Sequence, residues 1–396
     1  MNTGATISIT AGEFEGLGSF AEGADFMFQA IVTDVAGNAT TGDTSATTIH
    51  VDIATPSITK IISETVDGNY GLGDDIDLQV ILTEPVTLAG GSVRLTLETG
   101  TNDAVVTNNS VTNQDTISFT YSIANGDTSD DLAASLISLS AGTLRDSAGN
   151  SADLALPVGN NLDDNADLVI DGIGPTISGM SSTTADGWKK LGDIVNVTVD
   201  FSEPVTLSGG DTLKVYLNTG RVVNYTAITN ATSKSANYTV LAGDSTYALA
   251  VDSLVLTGGT LVDAGTNPVD LQIVNGANLS DNNSLRIDGI VPVAFTSGVV
   301  TIQGTNSQSG YYNATDTAVV ATVTPDIDDG SLVGGVALIQ GRIGAAANFT
   351  TIGSPVTLTD RNPRNITLTS NQIALLPSYA TGREMRFRTI LRDIAG

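Results

Sequence analysis

A set of landmarks recurs along this chain at a fixed distance. Pro56, Asp74 and Glu84 stand in Asp52-Ile53-Ala54-Thr55-Pro56, Gly73-Asp74 and Leu82-Thr83-Glu84-Pro85-Val86-Thr87-Leu88. Pro175, Asp193 and Glu203 stand in Asp171-Gly172-Ile173-Gly174-Pro175, Gly192-Asp193 and Phe201-Ser202-Glu203-Pro204-Val205-Thr206-Leu207, each 119 positions after its counterpart. A third junction string, Asp288-Gly289-Ile290-Val291-Pro292, closes the second unit. Repetition over a whole domain length restricts the chain to homologous modules in series, an organisation that points to building and spanning before catalysis.

Within the modules the periodicity is that of strands. Ile76 to Leu82 and Ile194 to Phe201 alternate apolar and polar residues, as do Val93 to Leu97 and Leu213 to Leu217. Half-buried strands have this period of two. Clusters of Gly, Asn and Asp punctuate the runs. The nearest approach to a helical stripe, Asp130 to Leu136, predicts a short connector. The expected fold is all-β, a two-sheet antiparallel sandwich in each module. Proline biases its predecessor to extended structure and suits the opening position of a module. The boundaries are therefore a partial domain at 1–54, full domains at 55–174 and 175–291, and a divergent one at 292–396. The last lacks the Glu-Pro-Val landmark. Its end, Met385 to Gly396, is similar instead to Met27 to Gly37, with Asp393 standing 359 positions after Asp34. Both ends read as cut, so export and anchoring signals are expected outside this stretch.

Charge narrows the partners. With 43 acidic and 16 basic residues the net charge is −27. That excess disfavours nucleic acid and anionic membranes, because phosphate binding needs clustered Lys and Arg, and it favours cations. Hydrophobic residues at 41% separate the chain from disordered acidic tails. The absence of cysteine removes disulfides, thiolate metal sites and cysteine nucleophiles together. No apolar run is long enough to span a bilayer, so no membrane insertion is expected within this stretch.

The ordered strings Leu97-Glu98-Thr99-Gly100, Asn125-Gly126-Asp127, Gly142-Thr143-Leu144-Arg145-Asp146-Ser147-Ala148-Gly149-Asn150 and Ile170-Asp171-Gly172 accompany the first set of landmarks. The second copy keeps most of them and blurs Gly-Asn into Ala264-Gly265-Thr266-Asn267. Taken together they resemble the immunoglobulin-like repeats of large prokaryotic surface proteins. The resemblance covers residues 52–292 and reaches the ends only through Asp-x-Ala-Gly. It implies a rod of sandwiches in an adhesin, biofilm or surface-layer protein, extracellular, at the cell surface, and stiffened by calcium at domain junctions.

Calcium takes six to eight oxygens, so its candidate ligands are acidic residues converging from adjacent loops. Asp52, Asp171 and Asp288 sit beside the junction prolines, and Asp74, Asp193, Glu84 and Glu203 fall where they could approach the same pole. Asp34, Asp146, Asn150 and Asp263 form a second set. The competing reading is that each Asp caps a turn. Glu84-Pro85 and Glu203-Pro204 recur once per module, which argues against a catalytic pair and for strands ended by proline at a sheet edge. His50 is the chain's one histidine and reads as a strand residue, so no catalytic triad is expected. The chain is read as no enzyme.

Seven of the 16 basic residues lie in 292–396. Arg386, Arg388 and Arg392 share one face of a strand, which reads either as a solvated face or, with Arg383, as a candidate docking patch for an acidic domain of a neighbouring copy. Trp188, Tyr311 and Tyr312 hint at a site for surface glycans. Asn-x-Ser/Thr sequons recur, Asn196 and Asn224 among them, and serve as glycan acceptors only where the side chain faces solvent. The leading expectation is a non-enzymatic adhesin stalk or a surface-layer or filament subunit. The alternatives are a glycan-binding or accessory region of a secreted polysaccharide-degrading enzyme, and assembly by strand exchange through residues 1–54.

Overall fold

A computed structural model of the chain describes residues 6–292, 297–325, 330–345 and 348–396. The first five residues lie outside them. The fold is all-β with predominantly antiparallel sheets, and the helices are single turns. Two compact units result: residues up to Gly174 together with Ala264–Asn267, and Pro175–Asp263 together with Pro268–Gly396.

In the first unit the strand Asp75–Ala89 organises one sheet. Gln114–Ser122 pairs along one edge, Ile58–Ser63 along the other, and Thr143–Arg145 pairs with its far end. A second sheet runs Ala134–Leu139, Val93–Leu97, Ala104–Asn108. Ile76, Leu78, Val80, Leu82 and Val86 of the first sheet and Val93, Leu95 and Leu97 of the second meet in one buried cluster. Burial of each such side chain contributes about 1.5–3 kcal/mol, and the strict alternation is what lets both sheets supply it. A third, small sheet differs from the antiparallel expectation: Leu168–Asp171 pairs antiparallel with Thr128–Ser129 but parallel with Gly68–Gly71.

The second unit contains the same arrangement. Ile194–Leu207 is flanked by Ile177–Ser181 and Ala231–Thr239, Leu261–Val262 pairs with its far end, and Thr212–Leu217 lies between Val222–Tyr225 and Val251–Thr257. Leu285–Asp288 lies between Gly187–Lys190 and Ser245–Thr246. Its core gathers Val195, Val197, Val199, Phe201, Val205, Leu213, Val215 and Leu217. A further core in this unit joins Asp316–Val323, between Ser297–Gly304 and Arg364–Thr369, to Val336–Ile343, between Thr350–Thr357 and Met385–Arg392.

Two local expectations are corrected. The Glu-Pro landmark does not end a strand. Asp75–Ala89 and Ile194–Leu207 run through it, with a shift of register between Gln114 and Thr116 in one case and between Asp200 and Val205 in the other. Proline has no donor to offer a ladder, and a bulge is where none is required. The segment Asp130 to Leu136 is a connector only as far as Ala133, its second half opening the strand Ala134–Leu139. The single turns that do form, Leu162–Asn165 and Leu279–Asn282, are held by capping boxes from Asn161 to Asp164 and from Asn278 to Asp281.

Residues 6–50 contain the single turn Ala11–Glu15 and two strand pairs, Asp25–Phe26 with Ile49–His50 and Gln29–Thr33 with Ala39–Thr44. The turn is capped by Thr10 and Glu13, and its counterpart Ser370–Ala374 by Thr369 and Gln372. The similarity of Asp34 and Asp393 therefore extends back to these caps, at the same separation of 359. Ile373 and Leu391 are buried in the later copy, whereas Ile31 and Val32 of the earlier one are exposed and an apolar cleft of about 710 Å³ opens between Ile7, Phe14, Phe28 and Ile49.

Candidate metal centre

Asp52 lies in the linker between Ile49–His50 and Ile58–Ser63. The linker is held by the amide of Val51 donating to Ala24 O at 2.8 Å, and by the amides of Ile53 and Ala54 donating to Glu22 Oε2 at 2.7 and 2.9 Å. Glu84 comes from the long strand. It occupies an inward phase of the alternation, between buried Leu82 and Val86, and is half-buried. Asp146 comes from the turn after Thr143–Arg145. Its Oδ1 accepts from the amides of Ala148, Gly149 and Asn150 at 2.9, 2.6 and 2.8 Å. Carboxylate oxygens of Asp52, Glu84 and Asp146 all lie within 4.8 Å of one another.

Asn150 bridges this group. Its Nδ2 donates to Asp146 Oδ2 at 2.8 Å, to the Asp52 carbonyl at 3.1 Å and to Asp52 Oδ1 at 3.3 Å. Burial, and then the carboxylates of Asp52, Asp146 and Glu22, push the Glu84 carboxyl above its ordinary value. Burial acts in the same direction on Asp146, but the hydrogen bonds from Asn150, Gly149 and Ala148 outweigh it and hold that carboxyl low. The group thus combines a carboxyl held low by its hydrogen bonds with one pushed up by burial and then by its negative neighbours.

Such a donor set fits a hard divalent cation. Three carboxylates from three segments supply oxygen ligands alone, as calcium prefers, and the amide that now bridges two of them can turn its Oδ1 inward about the same bond. Glu22 was not among the sequence candidates; its place is set by a contact across 31 residues to the linker, for which the local pattern has no signal.

The structure divides the sequence candidates. Asp52 and Glu84 of the first set are brought together with Asp146 and Asn150 of the second. Asp74 and Asp193 instead cap turns, each accepting the amide three residues earlier, Gly71 and Lys190, at 2.9 Å. Asp171 ends the strand Leu168–Asp171 and accepts from the Ile173 amide at 3.1 Å. Asp288 is buried and accepts from the Ile290 amide at 3.1 Å. Glu203 repeats the inward phase of Glu84, between Phe201 and Val205, and Asp263 is buried. Asp34 forms the same turn as Asp146, accepting from Ala36 and Asn38, but stays fully exposed. His50 is exposed and its Nδ1 meets Asp25 Oδ1.

The arginines of the last core also separate. Arg386, Arg388 and Arg392 are exposed on one face of Met385–Arg392, where Arg386 lies opposite Arg342 in the ladder. Arg342 and Arg388 both lie against the Phe349 ring, guanidinium carbons 4.6 and 4.4 Å from its centre. Arg386 pairs with Glu384 at 3.0 Å, and Arg383 lies in the turn before the strand. No helix of the described residues is long and apolar enough to cross a membrane. Compared with protein-family models and with curated proteins, the chain matches none.

Proposed function

We propose that this chain is a non-enzymatic structural segment of an exported prokaryotic cell-surface protein. It is a rod of tandem immunoglobulin-like sandwiches, serving as an adhesin stalk or as a surface-layer or filament subunit, with calcium stiffening its junctions. The observation that carries this reading is the meeting of Asp52, Glu84 and Asp146 where the linker enters the first sandwich. A cation there ties the linker to the long strand and to the turn after Thr143–Arg145, and so limits the hinge. The sequence equivalents Asp171, Glu203 and Asp263 carry the same residue types in the same order in the second repeat.

Calorimetric melting with calcium and with a chelator tests it. Calcium raises the melting temperature, and Glu84→Gln weakens calcium binding about tenfold or more. In chelator the same substitution stabilises. The Glu84 carboxyl has its folded pKa above the ordinary 4.5, so its contribution to stability is present below that value and is lost as pH rises through the folded pKa. Calcium offsets that loss. A melting temperature indifferent to calcium and chelator at neutral pH would sink the calcium reading.

A further inference from the structure

Trp188 is the chain's one tryptophan, and it sits in a setting that the first repeat lacks. Its indole meets the Tyr247 ring edge to face, centres 5.3 Å apart at 76°, and the Arg286 guanidinium carbon lies 5.8 Å from the indole centre. Tyr247 is 74% exposed, Arg286 is exposed and Trp188 is half-buried. The three come from separate stretches that one small sheet assembles. Gly187–Lys190 pairs with Leu285–Asp288 so that Trp188 faces Arg286, and Tyr247 follows Ser245–Thr246 on the other edge of Leu285–Asp288.

The first repeat builds the same sheet with other side chains. There Asn69 faces Val169, and Asp130 follows Thr128–Ser129. The scaffold therefore requires neither the aromatic pair nor the cation, yet all three positions change together in the second repeat. Packing does not account for this: an exposed tyrosine leaves most of its ring in water, and the fold stands without it in the first repeat. Charge points the same way. Residues 1–291 hold 36 acidic and nine basic residues, and three of those nine, Lys189, Lys190 and Arg286, lie on these two paired strands.

We propose that Trp188, Tyr247 and Arg286 form a binding site for an acidic saccharide, a pyranose carrying a carboxylate. Tyr247 offers a flat apolar face for the ring's axial C–H groups, with Trp188 fixing its orientation. Arg286, held over the indole, pairs with the carboxylate in the planar geometry that a guanidinium supplies. A neutral sugar uses the aromatic face alone, and an acidic peptide the cation alone.

Because Trp188 is single, its fluorescence reports occupancy directly. The intact chain is titrated with galacturonate tetramer, cellotetraose and a tetraglutamate peptide. The expected result is a saturable emission change with the galacturonate tetramer at millimolar concentration or below. Arg286→Gln weakens that response about tenfold, Tyr247→Ala removes it, and Asp130→Ala in the first repeat leaves it unchanged. Both substituted side chains are exposed, and an unchanged melting temperature confirms folding in each variant. No saturable change up to about 10 mM overturns the proposal. So does an equal response to cellotetraose, which assigns no role to Arg286, or an equal response to tetraglutamate, which assigns none to the rings.

Discussion

Tyr238 and Asp244 show what a short motif does once it is folded. The Tyr238 hydroxyl donates to Asp244 Oδ2 at 2.6 Å, the Leu241 amide donates to the same oxygen at 2.9 Å, and Arg221 Nε reaches Oδ1 at 2.6 Å. Tyr121 and Asp127 repeat the hydroxyl contact at 2.7 Å, with the Ala124 amide at 2.9 Å. The Gly-Asp at Gly126-Asp127 and Gly243-Asp244 is therefore a turn in which the aspartate satisfies a buried tyrosine. Burial raises the Asp244 carboxyl, but the hydroxyl, amide and guanidinium donors outweigh it and hold it below 3.8. Its contribution is thus present above that value and lost as pH falls through the folded pKa. Asp244→Ala is expected to cost about 3–5 kcal/mol in urea unfolding, and Tyr238→Phe about 1 kcal/mol. Stability of Asp244→Ala should also fall less steeply than that of the parent chain as pH drops below 3.8. An Asp244→Ala loss no larger than that of Tyr238→Phe would show that the aspartate merely caps the turn.

At the level of elements, the long bulged strand explains both what was legible and what was not. The alternation from Ile76 to Leu82 is visible in sequence because one face is buried along its whole length. Glu84-Pro85 reads as a stop for the same reason that it is a bulge: proline withholds a donor, and only the partner strands decide whether the chain ends or changes neighbours there. The change of neighbour along one edge is a long-range event, with Ile58 opposite Leu82 and then Thr143 opposite Ala89, and no local pattern records it. The candidate centre was legible in residue type but not in grouping. Asp74 shares its chemistry with Asp52, and only the turn at Gly71 shows that it is spent on a backbone amide. The junction glycines gain a reason too. A Cβ on Gly172 would stand 2.2 Å from the Ala124 carbonyl oxygen, and one on Gly289 2.2 Å from that of Leu241. The chain at the end of the closing strand thus passes this turn too closely for any side chain. Gly289→Ala should lower stability by about 1–3 kcal/mol, read from the urea midpoint. A midpoint unchanged from the parent would mean that the turn yields without cost.

Over the whole molecule, charge is divided rather than spread. Residues 292–396 carry seven acidic and seven basic side chains, so the net −27 belongs entirely to residues 1–291. An acidic surface has a complement on the same chain. Among the described residues, the face bearing Arg388 and Arg392 shows no carboxylate in ion-pair contact with either. The first unit shows the opposite condition. The Asp131 carboxyl is pushed up by burial and then by the carboxylates of Asp167, Asp163 and Asp67, all exposed. If the chain assembles as proposed, a basic face on one copy would relieve that repulsion on another, and two different surfaces meeting in this way would propagate a chain of copies rather than close a dimer. Self-association measured by sedimentation velocity is therefore expected at low ionic strength. It should fade as salt shortens the screening length to about 8 Å near 0.15 M. Arg386→Glu with Arg388→Glu should abolish it. Adding Asp131→Arg and Asp163→Arg on the same chain should restore it, since the two faces then attract again with signs exchanged. Association that survives the first pair, or that the second pair fails to restore, would assign the arginine face to solvation alone.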